Sequence, residues 1–483
     1  MTVGGRADSG ARISAVALID GEHYPPVVVD ALVQLGSRFE FLAAVFLGGS
    51  EKIGGGGGDD GPEGTAREVY GLPVHFASDG DIVGVLGQVI DMYRPETIVD
   101  VSDEPVVGYR ERFRLVSHAL ARNVSYEGSD FRFSPPKLEN LATSPSLSII
   151  GTAKRVGKTA LSGFAARTIQ EDLSRAGGIR TLDGGRGGVV IVPMGRGGPA
   201  APEVIDGAGG ALDAGDLLAW SRAGRHAASD HFEDAALSRV TTVGCRRCGG
   251  GMAGAPFVSN VAEGARVANS LGPSLTIFEG SGAAIPPVAT DARLLVVGAH
   301  QPLDYVAGYL GTYRVLLSDA VVVTMAEQPL AEVEQVRRMV AEIESIKQGI
   351  PVIPVVFRPR PLGDVAGRKV ALFSTAPSVQ EGLLRRHLEE TYGCRVVAFS
   401  ANLSDRGRLR DDLAKAETRS AEVFLTEIKA AAIDVVAEEA EARGVQTVFM
   451  DNIPVEVEPS RRGEMAELCR ELARLAVDRF EGR

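Results

Sequence analysis

The chain has 483 residues, 45% of them hydrophobic and 24% charged, with a formal net charge of −12. This composition describes a globular protein long enough for about three domains, and its acidic balance argues against general nucleic-acid affinity. Four cysteines at this length form no disulfide framework. Residues 1–12 are polar and glycine-rich with no apolar signal segment, and no run approaches the length of a membrane span. A reduced, cytoplasmic protein with no membrane partner is expected.

The first section, to about residue 140, alternates strand-like and helix-like runs. Residues 13–20, 41–46 and 95–101 read as strands, and 27–35 and 109–122 as helices. That β-α-β alternation predicts a Rossmann-like parallel sheet. The Gly/Asp tract at 54–64 reads as a surface loop, and 133–145 as a linker. From 141 to 364 the strands are expected at 147–150, 189–192, 275–278, 294–297, 320–324 and 352–357, with a glycine-rich insertion at 177–188. Most are continuous apolar runs, as strands buried on both faces are. The last section, 365–483, is again expected to be α/β, and smaller. Its strands are predicted at 369–374, 395–399 and 447–450, with a long amphipathic helix over 420–443 and a terminal helix over 461–480.

A nucleotide signature opens the central section. The strand at 147–150 runs into Gly151-Thr152-Ala153-Lys154-Arg155-Val156-Gly157-Lys158-Thr159, and a helix-like run follows. Backbone N–H groups of such a loop and the helix N-terminus cradle anionic oxygens. Lys158 can reach the β and γ phosphates and the Thr159 hydroxyl can ligate Mg²⁺. Gly151, Thr152, Val156 and Gly157 complete the cradle. Five residues separate Gly151 from Gly157 where four are usual, and Thr152 stands at the usual glycine position. The extra residue places Lys154 and Arg155 inside the loop, where they could face an acceptor phosphate. The G-T-x-x-x-V-G-K-T form resembles dethiobiotin synthetase.

Further along, Glu279 ends an apolar strand and precedes Gly280-Ser281-Gly282, the position of ligand sites in open α/β sheets. It is a candidate Mg²⁺ ligand opposite Thr159. Arg196 lies among glycines after the strand at 189–192 and suits phosphate. The stretch from His226 to Asp234 holds two imidazoles and three carboxylates in nine residues. Asp230 or Glu233 is a candidate catalytic group or Mg²⁺ ligand; zinc on His226 and His231, or the solvated start of a helix, are the other readings. Cys245-Arg246-Arg247-Cys248 is a single C-x-x-C, two ligands short of a zinc site. It reads better as a Gly-rich anion-binding loop with Arg246 and Arg247 on phosphate and the cysteines buried. The Pro-rich segment after 357, with Arg358, is expected at the nucleotide base. No Asn-Lys-x-Asp occurs, which favours ATP over GTP. In the first section, residues 20–24 and 103–105 end strands and could line a second anion or metal site or close over the first.

Read together, residues 17–26, 103–112, 194–199, 226–234, 244–257 and 279–287 resemble the cyclic 2,3-diphosphoglycerate synthetase family across nearly the whole chain. The resemblance implies a central P-loop NTPase domain, dethiobiotin-synthetase-like and largely parallel, flanked by an N-terminal Rossmann-like and a smaller C-terminal α/β domain. It implies ATP-dependent closure of 2,3-diphosphoglycerate to its cyclic anhydride, with ADP and phosphate released. Mg²⁺ is the implied cofactor, K⁺ a further candidate, and a homodimer the expected assembly. Ala153 stands where a loop glycine is expected. Two other readings stay open: a dethiobiotin-synthetase-like ligase on another substrate, and a nucleotide-dependent metallochaperone using Cys245 and Cys248.

Overall fold

The computed structural model describes residues 11–49, 67–77, 80–175, 187–207, 212–224, 230–429 and 432–483. The 54–64 tract, most of the 177–188 insertion and His226 lie outside these residues. The chain divides into two compact units, Met1–Pro135 with Ala307–Leu317, and Pro136–Val306 with Ser318–Arg483.

In the first unit the strands are β1 (Ile13–Ile19), β2 (Phe39–Phe46), β3 (Val74–Phe76), β4 (Thr97–Asp100), β5 (Ser125–Glu127) and β6 (Arg132–Phe133). They form one sheet in the order β3-β2-β1-β4-β5-β6, parallel except for β6. The apolar run of β1 is buried because the sheet covers both its edges and helices pack over it. The helix Ile82–Tyr93 starts at Asp81, whose carboxylate accepts the Gly84 N–H. Asp20, just beyond β1, is buried and fully engaged: it accepts from the backbone of Glu22, His23 and Asp103 and from the His23 ring. Burial works to raise its pKa, but these donors outweigh it and hold the carboxyl below its ordinary value. The carboxylate therefore ties two strand-end loops together.

In the second unit, β7 (Ser146–Gly151), β8 (Val189–Gly195), β9 (Glu203–Ile205), β10 (Thr241–Cys248), β11 (Val258–Ser259), β12 (Leu275–Glu279), β13 (Ala292–Gly298), β14 (Ala320–Thr324), β15 (Val352–Pro361), β16 (Lys369–Phe373), β17 (Arg395–Ser400), β18 (Val423–Thr426) and β19 (Gln446–Glu456) share one sheet. Its order is β11-β10-β8-β12-β7-β13-β14-β15-β19-β18-β16-β17, with β9 beside β10. Strands β8 to β15 in that path are parallel, and β15 pairs antiparallel with β19. The C-terminal section thus continues the sheet of the phosphate-loop section. The core under β7 is completed by Met465, Leu468, Cys469, Leu472 and Ala476 of the terminal helix Glu464–Glu481, a heptad-like stripe facing inward.

Three expectations are corrected here. Residues 420–443 are not one helix. Val423–Thr426 forms β18, buried between β16 and β19, and only Ala432–Arg443 is helical, opening with a π-helical turn. The Val-Phe-Leu-Thr run has high strand preference, and pairing on both edges overrides the helical spacing around it. The segment after Phe357 is not a loop: β15 continues to Pro361 against β19. Pro359 and Pro361 are two apart, so both missing N–H groups face the same side and spare the other ladder. Finally, Gly244 to Cys248 belongs to β10 and is not a loop.

Two predictions arise from this framework. Asp451 of β19 is buried and pairs with Arg167 at 2.6 Å and Arg360 at 3.3 Å. Asp451→Ala leaves two cations uncompensated and is expected to lower stability by about 3 kcal/mol, read as a shifted urea midpoint at unchanged slope. Cys245, Cys394 and Cys469 are buried and Cys248 is exposed. Burial pushes the thiols of Cys245 and Cys469 up to about 12. A thiol-disulfide reagent should therefore titrate one cysteine rapidly in the native protein and all four after denaturation. Rapid native labelling of Cys245 contradicts this.

Candidate active site

The loop from Gly151 to Gly157 leaves the C-terminal end of β7 and enters the helix Lys158–Arg175. Arg155 and Gly157 have positive φ, 63° and 92°. A Cβ on Gly157 would lie 2.3 Å from the Phe357 ring, so only glycine fits that turn. The Val156 side chain is buried in the core below, and the Thr152 hydroxyl donates to Gln301 Oε1 at 2.6 Å. These two contacts pin the loop from beneath and leave its upper face to a ligand. Lys158 is nearly buried, and its Nζ donates to the Ala153 carbonyl at 2.8 Å, folded across the loop. Burial lowers its pKa to about 8, with Glu279 and Asp230 opposing.

Carboxylates converge on the helix N-terminus. The Thr159 hydroxyl donates to Glu279 Oε1 at 2.8 Å, from the end of β12. Glu279 Oε2 and both oxygens of Asp234 are buried without a hydrogen-bond partner among the described residues. Burial, then the Asp230 charge, pushes Glu279 up to about 7, and burial and Glu279 hold Asp234 well above the ordinary range. Such crowding of like charge is costly unless a cation is bound. An orphaned carboxylate oxygen beside a threonine hydroxyl, with Asp230 nearby on the cavity wall, is an all-oxygen donor set that fits Mg²⁺.

Lys158, Thr159, Asp230 and Glu279 line a cavity of about 540 Å³ together with Lys154, Arg155, Arg196 and Gly282, while Asp234 is buried behind it. Gly282 has φ +60°, and a Cβ there would meet the Arg196 guanidinium at 2.6 Å. The C-terminal section lines the same cavity with Ser374, Thr375, Gln380, Glu427, Lys429 and Asn452. Lys429 Nζ lies 3.0 Å from Glu233 Oε1. Arg155 Nη2 donates to Ser404 Oγ at 3.0 Å. The cavity thus has a phosphate cradle on one wall and, on another, one ammonium, Lys429, among hydroxyls, an amide and the Glu427 carboxylate.

Three family models of cyclic 2,3-diphosphoglycerate synthetase match the chain: the N-terminal domain over residues 14–134, the P-loop domain over 146–356 and the C-terminal domain over 361–453. A protein named cyclic 2,3-diphosphoglycerate synthetase from Rubrobacter xylanophilus is 51% identical over 91% of this chain and 93% of its own length. One of the same name from Methanothermus fervidus is 42% identical over 98% of this chain and 99% of its own. The chain belongs to the cyclic 2,3-diphosphoglycerate synthetase family. Among solved structures, the hydrogenase maturation factor HypB of Archaeoglobus fulgidus aligns over 44% of this chain and 81% of that one, at 16% identity and a TM-score of 0.27, too distant to carry an inference.

Within this family chain, Lys154, Arg155, Gly157, Lys158, Thr159, Arg196, Asp230, Glu233 and Glu279 all reach the cavity wall. Arg247 lies behind it: its guanidinium donates to the carbonyls of Ser281 (2.7 Å) and Gly249 (2.5 Å) and so braces the turn after β12. Arg246, next along β10, is exposed and off the wall, because strand alternation turns neighbouring side chains to opposite faces. Arg358 is bound bidentately by Glu327, at 2.6 and 2.7 Å, and its neighbours Phe357 and Pro359 face the cavity instead. His231 is a buried ring against Glu203 at 3.1 Å and Phe232, inside a helix, Asp230–Ser238, that is buried from its second residue onward, so the helix start is not solvated. Cys245 is the buried small residue expected, but Cys248 is exposed. Glu427 and Lys429 escaped the sequence reading. Their signal was the one that marked Glu279, charged residues just after a short apolar strand, hidden here within an apparent helix.

Proposed function

We propose that this chain closes 2,3-diphosphoglycerate to cyclic 2,3-diphosphoglycerate at the expense of ATP, releasing ADP and phosphate. The reading is carried by one cavity that joins a phosphate loop to a second anion-binding wall, in a chain of this family. The division of labour follows the sections bounded near residues 140 and 364: the central one handles nucleotide, and the C-terminal one contributes to the acceptor.

ATP lies with its β and γ phosphates over the loop N–H groups and Lys158. Thr159, Glu279 and Asp230 would hold Mg²⁺, which neutralises charge on the transferring phosphoryl group when bound. Arg196, amid glycines at the wall, serves the same group. An oxygen of one substrate phosphate attacks the γ phosphorus; that P–O bond forms, the bond to ADP breaks, and ADP leaves. An oxygen of the neighbouring substrate phosphate then attacks the activated phosphorus. The ring P–O bond forms, and the bond to the former γ phosphate breaks, releasing inorganic phosphate. No general base is needed, because phosphate oxygens are already ionised near neutral pH. Repulsion is the main obstacle: two unit charges 4 Å apart cost about 1 kcal/mol in water and about 4 at an effective dielectric of 20. Lys154 and Arg155, exposed in the loop, offset it at the acceptor. Holding both phosphates in line contributes the rest, about 7–11 kcal/mol for a well-oriented intramolecular attack.

K⁺ as a further ion, a cytoplasmic location and a homodimer belong to the same proposal. No described helix is long and apolar enough to cross a membrane. The metallochaperone alternative is disfavoured by Cys245, whose thiol is buried in the core. The deciding measurement is ³¹P NMR of the protein with ATP, Mg²⁺ and 2,3-diphosphoglycerate. A cyclic pyrophosphate signal with stoichiometric ADP is expected; substrate-independent ADP, or none, overturns the reading.

A further inference from the structure

Lys429 stands at the C-terminal end of β18, on the cavity wall supplied by the C-terminal section. The loop after β18 carries two charged groups with different commitments. Glu427 is spent within the wall. Its Oε1 accepts from Ser374 Oγ at 2.7 Å, and its Oε2 from Thr375 Oγ1 at 2.7 Å, with Asn452 Nδ2 at 3.4 Å from Oε1. These contacts clamp the ends of β16 and β18 to the middle of β19. Lys429 pairs with Glu233 at 3.0 Å, across from the C-terminal section on the helix that begins at Asp230. An ammonium has three N–H donors, so one carboxylate oxygen leaves donors for a ligand in the cavity. The groups facing it are Glu233, Glu427 and Asp230. Burial works against the ammonium, but these carboxylates outweigh it and hold its pKa above the ordinary lysine value.

The phosphate loop accounts for the nucleotide with Lys158, Thr159 and the helix N-terminus. A small phosphoester in the same 540 Å³ cavity must then meet the wall formed by Ser374, Thr375, Asn452 and Lys429. Glu427 is already paired with hydroxyls there, so within that wall the ammonium is the group left to meet an anion, opposite Lys154 and Arg155 of the loop. We infer that Lys429 is the anion anchor of the acceptor subsite, binding a phosphate oxygen of the phosphoester, while Glu233 is a positioning residue that aims the ammonium into the cavity. This rests on the function proposed above, and it moves Glu233 from a metal-ligand or catalytic role to a supporting one.

The test is Lys429→Met in the full chain, with KM determined separately for 2,3-diphosphoglycerate and ATP, and with calorimetric titration of 2,3-diphosphoglycerate alone. Loss of a charge-assisted contact should raise the acceptor KM and dissociation constant on the order of tenfold to a hundredfold. The KM for ATP should change less than about twofold, and Lys429→Arg should recover part of the loss. Since Lys429→Met strands a buried carboxylate, the double variant Glu233→Gln/Lys429→Met is measured in parallel and should show the same split. An acceptor KM within about twofold of the parent, or equal rises for both substrates, overturns the inference while leaving the function intact. A parent protein that binds 2,3-diphosphoglycerate without cyclising it overturns the function; the dissociation constants of the variants then still test Lys429. Absence of binding by the parent overturns both.

Discussion

Lys158→Met is expected to reduce kcat/KM for ATP by about a thousandfold or more, with the fold retained. In the proposed mechanism the lysine meets the transferring phosphoryl group as it gathers charge, and its side chain is nearly buried. Removing one well-placed electrostatic donor from such a site costs about 10²–10³ in rate, and Lys158 serves ground-state binding as well. One of its three donors goes to the Ala153 carbonyl, a contact a nucleotide phosphate would replace. Burying an ammonium there is unfavourable, as its lowered pKa of about 8 records. Methionine at this position should therefore leave the unfolding midpoint unchanged or raised. Single-turnover phosphate release and a denaturation curve on the same preparation check both halves. Turnover within about tenfold of the parent would mean that the nucleotide lies elsewhere.

Glu279→Gln should separate stability from function in the same way, with opposite signs. Activity is expected to fall by about 10²–10³, with a higher Mg²⁺ requirement, because the amide keeps the Thr159 contact but gives up the charge. Metal-free stability is expected to rise by on the order of 1 kcal/mol, since the change removes one charge from the group Asp230, Glu233, Asp234 and Glu279. The pH dependence has a definite sign. Glu279 titrates at about 7 in the folded chain against an ordinary value of 4.5. Between those values the folded state binds the proton and the unfolded state does not, so the parent loses stability as pH rises through that window. The gain from Glu279→Gln should be near zero below pH 4.5 and largest above pH 7, read as urea midpoints with a chelator present. A gain that grows on acidification would contradict the assignment.

The legible parts of this site were the contiguous ones. Strand, loop, Lys158-Thr159 and helix follow one another in the chain, although the hydrogen bonds that pin the loop come from distant residues, Gln301 and Thr324. Glu279 could be read because a buried strand ends at it. Arg246 and Arg247 read as a pair in the sequence, and the fold separates them, since β10 turns one side chain out and lets the other brace Ser281. Arg358 looked free at the end of a Pro-rich run and is held by Glu327, a residue 31 positions away. The carboxylates of Asp20 and Asp103 suggested a second site, yet Asp20 is consumed by backbone donors.

The misreading of residues 420–443 shows where sequence pattern loses to packing. Apolar residues in that stretch suit a helix, and β18 forms because β16 and β19 pair with both of its edges. Those partners lie about fifty residues before it and about twenty after it in the chain, so no local window contains the deciding contacts. The amino-acid sequence alone determined the family, the α/β character and the phosphate-binding loop, because each depends on residues adjacent in the chain. Only the tertiary structure decided which carboxylates crowd Thr159, that Arg247 braces the turn after β12, and that Lys429 shares a cavity with Lys158. Those relations arise from strand order across a single sheet, where residues more than 250 positions apart come to one edge.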